Sequence, residues 1–389
     1  MTPLFPADPL PIPAPVWLLK GLAWTTLLLH FLFMNVVLGG SLLSLVYCVK
    51  GKPRHLEAAL GVARALPSVM AYTITFGVAP LLFLQVLYGP VFYTAAVLVA
   101  PFFLAIIPVL ILAYYLMYLL SWRWDKLGGA RPVLFAAVFA LLGYVGFTYA
   151  NLFTLVCDPE RFKPLYLAAP SGAHLNTAEV TLLPRLLHVL FGAVAVAGLF
   201  VALQGIRKLP RDPEQGRWQY RSGATWFCGA TVIAMLVGVW WLFALPPEQR
   251  GLFLGGSLLG TLAFGVGVAA ALAALVHVWL GINSNRPGWM LWTGVGALAV
   301  TVLCMLLMRD VLRDAALAPY WRTADLKVEP QWGAILLFLL LFVGGLGFCF
   351  WLLRLARRAF PPPDLPPLGS GGYRFILPKG PGSDGAKGP

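Results

Sequence analysis

Five histidines are the residues best able to do chemistry in this sequence, and three of them sit inside long apolar runs. His30 lies roughly midway along the run from Trp17 to Cys48, with Asn35 behind it and Gly39-Gly40 beyond. His188 and His277 occupy later apolar runs, whereas His55 and His174 fall in polar connections and read as solvated. An ionisable group deep in an apolar segment costs a few kcal/mol unless compensated, so it marks a functional site by default. A bound iron that takes up neutral imidazole is one such compensation; a hydrogen bond to a neighbouring backbone is the other.

His188 carries the sharper pattern. Arg185 precedes it by one helical turn, and Gly192, Ala195 and Gly198 follow as small residues. An imidazole for iron, small residues where a flat ring could lie and a cation for a carboxylate side group are what a haem requires. Equally, Arg185 could snorkel to a membrane interface while the glycines pack a helix. His277, at the far end of its run, lies roughly 25 Å or more from His188 in depth by helical rise and reads as structural. Met305, Met308, Asp310 and Arg313 form a further group, in which Asp310 and Arg313 make an i, i+3 pair. The methionines read as core filler.

The elements that must position these residues are membrane helices. The sequence is 60% hydrophobic and 11% charged, with a mean hydropathy of +0.81, outside the range of a soluble domain. Its 389 residues are divided into about nine apolar runs of spanning length: 17–48, 67–88, 92–121, 132–156, 182–206, 223–245, 252–281, 289–308 and 331–353. The fold class is therefore all-α, a polytopic helical bundle over 17–358. A proline-rich segment, 1–16, precedes it, and a Pro/Gly-rich tail, 359–389, follows and reads as disordered. The first segment lacks a basic n-region, so the first span is expected to be retained.

The net charge of +13 comes from short basic loops and the tail, a pattern of topology rather than of nucleic-acid binding. Basic clusters follow the odd-numbered spans: Lys50 to Arg64, Arg123 to Arg131, Arg207 to Arg221, Arg286, and Arg354 to Arg358. The N-terminus is accordingly expected outside and the C-terminus inside. Two outer connections, 157–181 and 309–331, are long enough to dock a partner, whereas those near Gly89 and Pro246 are short. The basic tail is expected to meet anionic membrane lipid. Five scattered cysteines form no C-x-x-C-H, C-x-x-C or other metal spacing. From Pro67 to Trp122 there is no Asp, Glu, Lys or Arg, which argues against a proton pump or proton-coupled carrier.

Short motifs in order resemble subunit I of the cytochrome bd quinol oxidases. His30-Phe31-Leu32-Phe33 with Leu38-Gly39 is similar to that family's first span, and Phe76-Gly77-Val78-Ala79 to its second. Arg123-Trp124-Asp125-Lys126-Leu127-Gly128 resembles its inner turn after the third span. Leu187-His188 with Gly192 and Gly198 resembles the haem-ligand motif of the fifth, and Met308-Arg309-Asp310-Val311-Leu312-Arg313 the outer end of the eighth. The resemblance implies that His30 and His188 ligate different haems. Asp310 would stand where the family has a ligand glutamate, with Arg313 beside it. The sequence departs from the family at several points. Ala105 and Ala113 stand about where proton-path glutamates belong, and Phe264 is nearest to an expected methionine ligand. The connection from Leu245 to Gly251 is too short for the quinol-binding loop.

These readings converge on a b-haem membrane subunit that passes electrons within a respiratory complex of a bacterial inner membrane. Its expected cofactors are one to three b haems, with a quinone as a further candidate. Its expected partners are other membrane subunits and a periplasmic c-type cytochrome at the outer loops. The expected metal ligands are His30 and His188, and the other cofactor contacts Arg185, Asp310 and Arg313. Two rival readings are a functional terminal oxidase and a haem-free scaffold or quinone-binding anchor.

Overall fold

The computed structural model describes residues 10–168, 170–284 and 287–359. It is all-α, as the hydropathy pattern requires: in a bilayer, backbone groups that find no partner within a helix cost several kcal/mol. Among the described residues there is no β-strand, only an isolated bridge in which Ile12 pairs with Val328. Its backbone bonds, Ile12 N to Lys327 O and Glu329 N to Ile12 O, tie the N-terminal segment to the last long connection.

The helices are α1 (Val16–Lys50), α2 (Pro53–Leu98), α3 (Ala100–Leu104), α4 (Ile106–Trp122), α5 (Trp124–Leu127), α6 (Arg131–Val156) and α7 (Phe162–Ala168). They continue with α8 (Leu182–Lys208), α9 (Pro213–Ala244), α10 (Pro247–Gly251), α11 (Leu258–Gly281), α12 (Pro287–Leu317) and α13 (Trp332–Ala359). Eight helical segments among the described residues are long and apolar enough to cross a membrane. The expected ninth span corresponds to α13, which belongs to a separate unit beginning at Gln331. The tail beyond Pro361 and the basic residue Arg286 lie outside the described residues.

Several expected boundaries move. The basic stretch 53–66, expected as a loop, is the first third of α2, leaving Gly51 and Lys52 as the turn. The expected connection near Gly89 is instead helical. Pro67, Pro80 and Pro90 all lie within α2, and the backbone leaves helical geometry at Tyr88, two residues before Pro90. Proline removes a hydrogen bond and crowds the preceding turn, so it bends this helix without ending it. The chain turns only at Val99. Similarly, α12 continues to Leu317, so Arg309 to Leu317 is helix rather than loop. Residues 247–256 form α10 and a π turn in which Gly255 has φ +112°, a conformation open to glycine.

Helix α1 is central, packing against α2, α6, α8 and α12. It meets α8 backbone to backbone, because a Cβ at Gly39 would lie 2.0 Å from the Ala193 carbonyl oxygen. The tightest seam joins α8 to α9. A Cβ on Gly198 would lie 2.7 Å from Gly223 O, and one on Gly223 would lie 2.4 Å from Gly198 O. One heptad along, Gly205 and Gly216 repeat the arrangement at 2.8 and 3.0 Å. Glycines seven apart on two antiparallel helices let the axes close and fix one register. Gly198, expected as part of a cofactor face, is used by this seam.

Because Gly223 is closed in by the Ala202 backbone, Gly223→Val is expected to cost at least about 3 kcal/mol. Gly143→Ala, whose Cβ meets nothing within 4 Å, should stay within about 0.5 kcal/mol of wild type. Thermal unfolding in detergent checks both.

Candidate functional site

The helix registers set the two half-buried histidines against their neighbours in the same way. His30 on α1 places Nδ1 2.9 Å from the Thr73 carbonyl of α2. His188 on α8 places Nδ1 2.8 Å from the Ala234 carbonyl of α9. A carbonyl only accepts, so in each neutral ring Nδ1 carries the hydrogen and donates it. Nε2 is left with its lone pair, the arrangement of a metal-binding imidazole oriented by a backbone carbonyl.

Glycine makes both contacts possible. Each accepting carbonyl belongs to a residue four before a glycine, Thr73 before Gly77 and Ala234 before Gly238. A Cβ on Gly77 would stand 2.7 Å from His30 Nδ1, and one on Gly238 would stand 3.2 Å from His188 Cε1. The ring thus occupies the place of the missing methyl and shares a carbonyl already used by the helix. Gly192, one turn from His188, faces open space with no atom within 4 Å of a built Cβ. Gly238 was not singled out from the sequence, because it stands 15 residues from Gly223 and falls outside the seven-residue spacing of the seam.

His277 differs from this pair, since its Nδ1 bonds to Ala273 O at 2.7 Å within its own helix. His55 packs edge-on against Tyr47 and Trp218. The backbone N–H of His174 donates to Leu98 O. Met308 and Phe264 pack against the apolar cluster of Leu242, Leu245, Phe253 and Leu312, whereas Met305 is exposed.

A charged network lies at the Lys20 end of α1, about 15 Å along the helix from His30 by helical rise. Lys20 Nζ bonds Asp310 Oδ2 at 3.0 Å and also bonds Asp314. Arg313 bonds the other oxygen of Asp310, so that carboxylate is engaged on both sides by cations. Tyr88, at the kink of α2, donates to Asp314 and accepts from Arg313, whose guanidinium also lies 4.2 Å over its ring. Lys20, Asp314 and Tyr88 are members that sequence reasoning missed. A single lysine within the first apolar run, on the helix that carries His30, was the available signal for Lys20.

Three arginines converge beside this network. Arg309 lies over Phe153 at 4.1 Å and feels the charges of Arg185 and Arg313. Burial pushes the thiol of Cys157, just past the end of α6, upward in pKa, while Arg185, Arg313 and Arg309 pull it down. Lys20 and Arg313 are paired with Asp310 and Asp314, Arg309 feels Asp310, and Arg185 has Glu179 nearby. The Nε atoms of Arg185 and Arg313 and the indole N–H of Trp241, one turn from Gly238, are buried without a partner. Buried donors of this kind need an acceptor. A group that brings iron to an imidazole and carboxylates to nearby cations fits this set of residues. The two long connections also meet here, through a hydrogen bond from Tyr320 to Glu160 that raises the pKa of the phenol.

The solved structure of a bd oxidase from Geobacillus thermodenitrificans matches this arrangement of helices with a TM-score of 0.65. The match covers 90% of this chain and 100% of that one, at 16% identity. The bundle has a bd-oxidase-like fold. At that identity the likeness concerns the fold alone. No family model matches the sequence, and no curated protein does.

Lys20→Met is expected to destabilise the bundle by roughly 3 kcal/mol, because Asp310 and Asp314 would then share one counter-ion, Arg313. Adding Asp314→Asn should recover much of that loss. A double-mutant cycle on unfolding midpoints measures the coupling.

Proposed function

We propose that this chain is a b-haem-binding membrane subunit that passes electrons within a respiratory complex of a bacterial inner membrane. The observation that carries the reading is the repeated device at His30 and His188, each with Nδ1–H on a helix carbonyl and a glycine beneath the ring. Two imidazoles held in the metal-binding tautomer, on different helix pairs, fit ligation of two separate irons. Each bound haem would supply a one-electron change at its iron.

The remaining residues have consistent roles in this reading. His30 and His188 present Nε2 to iron and cannot rotate without breaking the carbonyl bond. The unpartnered N–H groups of Arg185, Arg313 and Trp241 would donate to propionates, and the arginine charges would neutralise them. Asp310, held on both oxygens, acts in the proposal through Arg313 and Lys20, which it anchors, rather than through iron. The spans between Pro67 and Trp122 hold no charged residue for proton delivery, which favours electron relay over oxygen reduction. With the basic loops inside, the Lys20 end faces outward. A periplasmic c-type cytochrome would then meet the paired connections around Glu160 and Tyr320, and other membrane subunits would cover the apolar flanks.

The purified full-length protein is expected to show a Soret band and a b-type pyridine haemochrome. His30→Ala and His188→Ala should each remove about one haem equivalent while leaving the protein folded by size exclusion. Gly238→Val, which crowds the ring without touching its chemistry, should alter the His188 spectrum and spare that of His30. A protein without a Soret band, or full haem content in both alanine variants, would overturn the proposal.

A further inference from the structure

A groove unrelated to the histidines opens between α2 and α4, at the end of the bundle that carries the basic turns. Its volume is about 450 Å³. Arg64, Ser68 and Tyr72 line it from α2, and Tyr118, Ser121 and Trp122 from α4. The two helices make a polar floor at the end of an aromatic wall. Tyr118 lies 5.1 Å from Tyr114 and 4.7 Å from Trp122 between ring centroids. Arg64, Ser68, Tyr72 and Trp122 are exposed, so the groove opens sideways rather than into the core.

Three features narrow the occupant. Among the described residues Arg64 has no carboxylate partner, although Arg54 and Lys208 on the same face are paired with Glu214 and Glu57. A guanidinium with two serine hydroxyls within one groove matches the oxygens of a phosphate. Tyrosine and tryptophan at the point where α4 leaves the apolar region mark the level of lipid headgroups, and exposed Ile111 and Tyr115 continue the α4 surface into the apolar zone. No histidine or carboxylate lines the groove, so it has no group to exchange a proton with a quinol.

We infer that this groove binds the phosphate of an anionic phospholipid, with Arg64 as the charge partner, Ser68 and Ser121 as donors, and the tyrosine–tryptophan wall against the glycerol and upper acyl chains. Such a lipid would brace α2 against α4, where α2 carries both the Thr73 carbonyl and Tyr88. The inference stands whether or not the histidines bind haem.

Native mass spectrometry of the purified full-length protein, titrated with phosphatidylglycerol, tests it. Wild type is expected to retain one phosphatidylglycerol more tightly than the rest, and Arg64→Gln to weaken that binding about tenfold. Arg64→Lys should restore part of it, and Arg123→Gln, on the neighbouring turn, should leave it unchanged. Millimolar inorganic phosphate should not displace the lipid, since the wall contributes to binding. Equal retention of phosphatidylcholine, unchanged binding in Arg64→Gln, displacement by free phosphate, or displacement by a quinone analogue would each overturn the inference.

Discussion

Everything at the His188 centre depends on how closely α8 and α9 approach. In a helix pair held 8–10 Å apart, ordinary side chains fill the space between the two backbones. The paired glycines 198 with 223 and 205 with 216 remove that spacing and leave one register in which the backbones mesh. Ten residues back along α8 and eleven on along α9, that register sets His188 opposite Ala234. The seam lies remote from the imidazole, yet it fixes the distance at which the imidazole donates. On the other side of α1 the logic repeats with a lighter touch. Gly40 takes Val62 at 3.2 Å, and ten residues back along α1 His30 reaches Thr73.

The sharing of carbonyls has a consequence for electrostatics. Both Thr73 and Ala234 keep a place in their own helix while accepting a second hydrogen bond, which the two lone pairs of a carbonyl oxygen allow. The imidazoles are therefore oriented by backbone carbonyls rather than by an ionised hydrogen-bond partner. At the Lys20 end, part-buried cations outnumber the carboxylates beside them. A buried excess of one sign is costly unless an anion arrives to balance it. Asp310 and Asp314 answer Lys20 and Arg313, which leaves Arg309 leaning on the face of Phe153 and Arg185 beside Glu179. The carboxylates of the proposed haems would complete this balance.

Much of the fold was legible because hydropathy is imposed by the solvent: apolar runs of spanning length had to be helices. What was not legible depended on continuity. The expected span 67–88 begins at Pro67 and stops short of Pro90, whereas α2 runs through both prolines, so a loop and an outer turn were expected where one bent helix runs. At the site, His30, His188 and Arg185 were visible as polar residues in apolar runs, and Arg313 by its spacing from Asp310. Lys20 was overlooked near the start of its run, where a lysine reads as interfacial. Gly198 was visible but assigned to a cofactor face, because a glycine near a histidine can serve either purpose. The heptad spacing of Gly198 with Gly205, and of Gly216 with Gly223, was the signal that separates them.

The same reasoning explains why Gly77 and Gly238 matter more than their bare surroundings indicate. In a membrane helix a glycine is usually read as a place where another helix comes close. Here each admits an imidazole, and the partner is a side chain that must keep one nitrogen occupied and the other free. A serine or alanine in either place would pack well against most neighbours but would intrude on the ring. For a merely structural histidine, a bond within its own helix is sufficient, and His277 with Ala273 shows that solution in the same bundle. The two histidines that reach across to a neighbour through a glycine satisfy Nδ1 there; that bond serves a structural imidazole equally well, so the case for a ligand rests on the free Nε2 lone pair and on the unpartnered donors of Arg185, Arg313 and Trp241.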